Sequence, residues 1–290
     1  MLPIIAEIGP IKIHSYGLMV AIAFLVSVHF VRRDAAAKGI DPDLAWDATF
    51  WTLIVGLVGT RLVYIWMFPE EFSWTRPWEW IAIWKGGLVF QGAFVFLPVF
   101  LFLYLKKRKV PFWMGMDIGA PYMALGHGIG RIGCFLNGCC YGVRTEMPWG
   151  IAFPRIPKDL SQPAQGGQVF IDHCARYGLS SSTEQWSYPV HPTQLYSVIA
   201  LLSIFAVLYV LRSRFTPFDG FYLCMYGILY SAFRFANEFF RGDHNPTSVL
   251  PYLTDQQVFS MTALLGSLVV MFVLFLLSRR SRGATDARSA

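Results

Sequence analysis

Gly126–Gly142 reads GHGIGRIGCFLNGCCYG, placing Arg131, Asn137, three cysteines and six glycines in an otherwise hydrophobic region. A guanidinium in or at the edge of a bilayer is costly unless it has a partner. Glycines this dense let backbones approach closely and let a helix end abruptly. The stretch predicts that Arg131 sits at the outer end of a membrane helix and meets an anion there.

Composition supports the membrane setting. Of 290 residues, 55% are hydrophobic, 17% aromatic and 14% charged, against about 25% charged in a soluble domain. The net charge of +6 is modest and fits basic loops on one side of a membrane better than a nucleic-acid surface. The first apolar run has no basic region before it and no small-residue cleavage site after it, so it is expected to serve as its own insertion signal.

Runs of about 20 apolar residues, the length of a spanning helix, lie near 15–31, 45–67, 87–105, 113–131, 193–211, 220–240 and 258–277. The expected fold is therefore an all-α polytopic membrane protein with seven transmembrane helices. Basic clusters at Arg32/Arg33/Lys38, Lys106–Lys109, Arg212/Arg214 and Arg279/Arg280/Arg282 flank the ends on one side. That bias puts the N-terminus outside and the C-terminus in the cytoplasm. Residues 1–280 read as a single transmembrane domain, with 143–190 as an irregular external head rich in Pro, Gly, Ser and Gln. Residues 281–290 read as a disordered cytoplasmic tail. Glu70–Ile83, carrying Trp74, Trp78 and Trp80, reads as an interfacial segment on the outer surface.

With this orientation the polar residues gather at one depth. His14 and Tyr16 open the first span, Arg61 lies in the outer half of the second, and Gln91 is about a turn into the third. His191 and Gln194 open the fifth. Tyr230, Arg234, Glu238 and Arg241, spaced by four, four and three, share a face of the sixth. The inner halves are almost purely apolar. A proton relay or flippase would need polar groups through the whole thickness; a one-sided cavity for a lipid head group would not. Arg131 and Arg234 with one available Glu leave positive charge in excess, and phosphate suits the guanidinium fork. More ordinary readings stand beside these. Arg241 can snorkel, Arg61 can pair with Glu238 or with helix-end carbonyls, and Glu238 can form an intrahelical pair with Arg234.

Six blocks in order carry a family resemblance: His14-Ser-Tyr16-Gly, Gly59-Thr-Arg61, Gly86-Gly-Leu-Val-Phe-Gln91-Gly, Gly130-Arg131-Ile-Gly-x-Phe-x-Asn137-Gly, His191-Pro-Thr-Gln194-Leu-Tyr196, and Tyr230-x-x-Phe-Arg234-x-x-x-Glu238-Phe-Phe-Arg241. Together they resemble the bacterial prolipoprotein diacylglyceryl transferases. The resemblance implies transfer of diacylglycerol from phosphatidylglycerol to the lipobox cysteine of a prolipoprotein, with release of glycerol phosphate. It implies a catalytic domain in the bacterial inner membrane with its site facing the periplasm, and as partners phosphatidylglycerol, prolipoprotein signal peptides and the bilayer. No metal, organic cofactor or nucleic acid is expected. The alternatives are another phosphatidylglycerol-consuming transferase or a non-enzymatic lipid-binding protein or flippase.

Within that frame, Arg131, Arg234, His14 and Glu238 are the expected catalytic residues. Arg131, Tyr16, Arg61, Gln91, Asn137, Gly142, Tyr230 and Arg241 are the expected substrate contacts. Well-known members carry a histidine where this chain has Gln91, and glutamine is no general base. The proton acceptor is then His14, Glu238, His127 or the departing phosphate. The C-x4-C-C spacing of Cys134, Cys139 and Cys140 is poor for zinc. Packing in a tight turn, a disulfide to Cys174 and a catalytic thiol are the readings open for it.

Overall fold

A computed structural model describes residues 4–8, 11–73, 75–82, 86–89, 91–155, 168–179, 185–243 and 252–289. The helices are α1 (Ser15–Ala37), α2 (Pro42–Met67), α3 (Trp78–Ile81), α4 (Gln91–Lys107), α5 (Phe112–Asn137), α6 (Gln168–Tyr177), α7 (Thr193–Arg212), α8 (Phe221–Glu238) and α9 (Asp255–Ser289). A helix occupies each of the seven apolar stretches. Four of them, α1, α2, α7 and α9 over Asp255–Arg280, are long and apolar enough to cross a membrane by length and composition. The apolar side chains of α9 point outward: Leu265, Val269 and Phe272 are 59%, 62% and 61% exposed. Faces like these are tolerated against lipid rather than water.

The fold is mostly helical, with one short addition: Ile4–Ile8 (β1) and Ile11–His14 (β2) pair antiparallel, Ile8 opposite Ile11, with an irregularity between Ile4 and Ala6. Helix α5 does not end at Arg131, as the sequence suggests, but continues to Asn137, so the arginine lies inside it. The backbone of α9 is helical to Ser289. Of the tryptophan-rich segment, Trp74 and residues 83–85 lie outside the described residues, and Trp78–Ile81 forms a single helical turn.

Local chemistry explains several ends. Asp41 caps α2, its carboxylate accepting from the Asp43 amide at 2.9 Å, with Pro42 in the first turn. Gly138, at φ 76°, closes α5. The Cys139 amide donates to the Cys134 carbonyl at 3.2 Å and the Gly138 amide to Phe135 at 3.3 Å, the paired bonds of a left-handed helix stop.

The chain divides into two compact units, residues 28–118 and residues 1–27 with 119–290. In the first, α2 packs along α4, with Gly59 against Phe96. Arg61 organises the loop that follows. Its Nε donates to the Trp80 carbonyl at 3.0 Å, Nη2 to Glu79 at 2.6 Å, and Nη1 to Gly86 and Gly87 at 2.8 and 2.9 Å. The guanidinium also lies over the rings of Phe72 and Tyr64.

In the second unit, Ala120 and Ala124 of α5, Ile204 and Leu208 of α7 and Tyr222 of α8 share a core, and α9 packs on α8. The head is more ordered than an irregular loop. Tyr141, Phe153, Val169 and Val190 form a second core, and short bridges join Arg144 and Ile151 to Val190 and Pro154 to Trp186. Residues 156–167 and 180–184 of the head lie outside the described residues. The Tyr141 hydroxyl donates to Asp172, which also accepts from Gln168 at 2.8 Å. His173, buried in α6, accepts the Tyr188 amide on Nδ1 at 3.1 Å.

Two predictions follow from these contacts. Replacing Arg61 with Met leaves four loop carbonyls without their donor, each costing about 1–3 kcal/mol where it stays buried. Arg61→Met should lower the unfolding temperature and open residues 79–87 to protease, and Arg61→Lys should restore little, because an ammonium cannot span the fork. The second concerns pH. Burial lowers the His173 pKa from 6.5, with Asp172 opposing and Arg144 and Arg176 assisting. The unfolded chain therefore takes up the proton first, so head stability is full above about pH 6.5 and falls as pH drops below it. Hydrogen exchange of residues 168–179 at pH 7.5 and 5.5 should show this loss, and His173→Phe should remove the pH dependence.

Candidate active site

The end of α5, the start of α7 and the end of α8 are tied through their backbones. The Gly142 amide donates to the His191 carbonyl at 3.0 Å, Val143 to Phe240 at 2.9 Å, His191 to Val143 at 3.0 Å, and Gly242 to Tyr141 at 3.1 Å. A Cβ on Gly142 would lie 2.5 Å from the His191 carbonyl oxygen and 2.6 Å from that of Phe240. Only glycine fits, so the residue expected among substrate contacts is committed to this junction.

On the helical side of the junction, α5 and α8 bring their polar faces together. His127, one turn before Arg131 on α5, packs edge-on to Tyr230 of α8 with ring centroids 4.9 Å apart. Arg131 and Arg234 both lie within electrostatic range of its imidazole. Arg131 Nε donates to His127 Nε2 at 3.4 Å, and its guanidinium lies within electrostatic reach of the Tyr230 hydroxyl. Tyr16 and Met19 of α1 pack on the bare backbone at Gly133, which brings the Tyr16 ring within electrostatic reach of Arg131.

The other charges are already matched. Arg234 pairs with Glu238 one turn on, and the second Glu238 oxygen accepts from Thr254 Oγ1 at 3.0 Å. Arg241 is bidentate to Asp243, with both contacts 2.7 Å, and its side chain is 6% exposed, so it does not snorkel. Arg61 is held by carbonyls. Among the described residues no carboxylate lies within ion-pair range of Arg131. Of the four arginines expected on the sequence, it is the one whose charge is left for a ligand.

The remaining expected residues are placed less tightly. Asn137 is the last residue of α5. His14 ends β2, and its ring makes no hydrogen bond among the described residues. Gln91 begins α4, and its side chain lies outside what the structure describes.

Some contributors had no contact assigned to them by the sequence. His127 is among the four candidate proton acceptors, and its i−4 spacing from Arg131 marks it as a neighbour on the helix. Gln194 and Thr193 hold the loop after α5: Gln194 Nε2 donates to the Cys139 carbonyl at 2.8 Å and Thr193 Oγ1 to Cys140 at 2.7 Å. The Asn237 amide reaches Ser197 at 3.4 Å, and the side-chain oxygens of Asn237 and Gln194 are buried without a hydrogen-bond partner.

The sequence model for prolipoprotein diacylglyceryl transferase matches residues 3–274. Relatives bearing the name phosphatidylglycerol–prolipoprotein diacylglyceryl transferase include one from Fusobacterium nucleatum, 33% identical over 83% of this chain and 88% of its own. One from Clostridium tetani is 30% identical over 93% and 96%, and one from Thermus thermophilus is 31% identical over 97% and 99%. The match takes in every helix that carries the converging arginines, tyrosines and histidine, and the chain is a member of the prolipoprotein diacylglyceryl transferase family.

Proposed function

We propose that this protein transfers the diacylglyceryl group of phosphatidylglycerol to the lipobox cysteine of prolipoproteins, releasing glycerol phosphate. The observation that carries the reading is the uncompensated guanidinium of Arg131, set beside Tyr230, His127 and Tyr16. A phosphodiester supplies the missing negative charge and matches the fork of donors. A flippase would need polar groups through the whole thickness of the membrane.

In the reaction the cysteine sulfur forms a bond to the glyceryl carbon, and the bond from that carbon to the phosphate oxygen breaks. The electron pair leaves with glycerol phosphate, where charge builds in the transition state. Arg131 is the group that would stabilise this charge, as a preorganised donor does best in a site that excludes water. Tyr16 and Tyr230 orient the head group, and Asn137 and Arg241 border it. Glu238 is occupied on both oxygens, so it acts by holding Arg234 rather than by accepting the thiol proton. His127 Nε2 is already engaged as the acceptor of the Arg131 Nε hydrogen bond. The departing phosphate is then the acceptor: the thiol proton ends on glycerol phosphate, and charge balances without a side-chain base. This assignment also leaves His14 without a required proton-transfer step.

The topology we propose is seven spans, N-terminus outside, in a single catalytic domain over 1–280 of a bacterial cytoplasmic membrane, with the site facing outward. Support comes from helices in all seven apolar stretches and from the basic clusters that alternate with them. Signal peptides of prolipoproteins would approach from the bilayer.

The test is glycerol phosphate release by purified protein given phosphatidylglycerol and a lipobox peptide. Arg131→Ala should reduce turnover by about 100- to 1,000-fold, the usual cost of removing a donor to a developing anion, with an unchanged unfolding temperature. Near-normal turnover would remove the anion site from the mechanism. Arg234→Ala strands a buried carboxylate and should cost about 3–5 kcal/mol of stability. Adding Glu238→Leu should restore stability without restoring activity if Arg234 also serves the phosphate.

A further inference from the structure

Cys134, Cys139 and Cys140 look unpromising as a linear motif, but folding gathers them. Their three sulfur atoms all lie within 4.8 Å of one another. Cys134 is in the last turn of α5, the left-handed Gly138 reverses the chain, and Cys140 is itself left-handed at φ 62°. A non-glycine residue rarely adopts that conformation unless its surroundings impose it. Here they do, because the carbonyls of Cys139 and Cys140 are gripped by Gln194 and Thr193, both at most 1% exposed. The loop that presents the sulfurs is thus fixed by buried side chains from another helix. All three cysteines are free thiols, so the disulfide to Cys174, one of the readings left open, is not formed.

We propose that this trio is a binding site for a single soft monovalent cation, Cu(I), held by three sulfurs at the end of α5. Sulfur ligands select soft ions. With metal–sulfur distances near those of zinc thiolates, about 2.3 Å, a planar three-sulfur site sets its sulfurs about 4 Å apart, within the spread found here. The count argues against zinc, which takes four ligands. Among the described residues no histidine, aspartate or glutamate joins the cluster. Binding needs no redox step. The ion enters as Cu(I), and each thiol that ligates it releases its proton to solvent. The site is separate from the lipid phosphate but lies one helical turn from Arg131, so a bound ion would compete for the field on which we propose the transfer depends.

The experiment titrates the purified, reduced full-length protein anaerobically with Cu(I) against a chromogenic Cu(I) chelator, and with Zn(II) as the comparison ion. One equivalent of Cu(I) should be withdrawn from the chelator, with X-ray absorption showing three sulfur neighbours. Cys174→Ser should bind as tightly as the wild type, and Cys140→Ser should weaken binding at least tenfold. Because a triple serine variant can misfold, the single variant and the sulfur count carry the test. The proposal is overturned by wild-type affinity no greater than that of Cys140→Ser, by a two-sulfur site, or by Zn(II) displacing Cu(I) at equal concentration. These readouts do not involve turnover, so they stand or fall independently of the transferase reading.

Discussion

Three stretches of backbone cross at Gly142 with no space for a single added carbon. The consequence reaches well beyond the residue. Hydrogen bonds from 142, 143 and 191 lock the end of α5 to the start of α7 and the end of α8, and those helix ends bear Arg131, Gln194 and Arg241. Buried backbone polar groups must be paired, and at this junction they pair with one another across elements far apart in the chain. A larger residue at 142 would separate the strands of this crossing and with them the polar faces of α5 and α8.

Among the described residues at the junction, charge follows a simple rule: Arg234 takes Glu238 and Arg241 takes Asp243, while Arg131 has no carboxylate within ion-pair range. In the other unit, Arg61 takes four carbonyls. Burying an ion without a partner is expensive, so the exception at Arg131 points to a ligand. The same logic separates positioning from binding. An arginine already saturated by the protein shapes the site, whereas one left unsaturated waits for substrate.

The head follows from the same junction. Tyr141, next to Gly142, fills a core with Phe153, Val169 and Val190 and donates its hydroxyl hydrogen bond to Asp172. The loop after α5 is therefore held from above by the head and from α7 by Gln194 and Thr193. This double restraint is what keeps three sulfurs and an arginine in a small volume despite a run of glycines.

Much of this was legible in the linear chain. Apolar runs of spanning length mark seven helices, because a bilayer imposes length and composition directly on sequence. The four-residue spacing of Tyr230, Arg234 and Glu238 marks one face, because helical periodicity is local, and the Glu238–Arg234 pair was among the readings it allowed. The short β1–β2 pair and the order within the head were not legible, since a few residues with no periodic signal are paired only by contact. The extension of α5 past Arg131 was missed because a glycine-rich run lowers helix propensity, and tertiary packing overrides it. Sequence alone determined that the chain is a mostly helical membrane protein with arginines set among its apolar helices. Only the tertiary structure decided which arginine keeps its charge and which cysteines meet, because counter-charges, carbonyls and sulfurs distant along the chain become neighbours only when the helices pack.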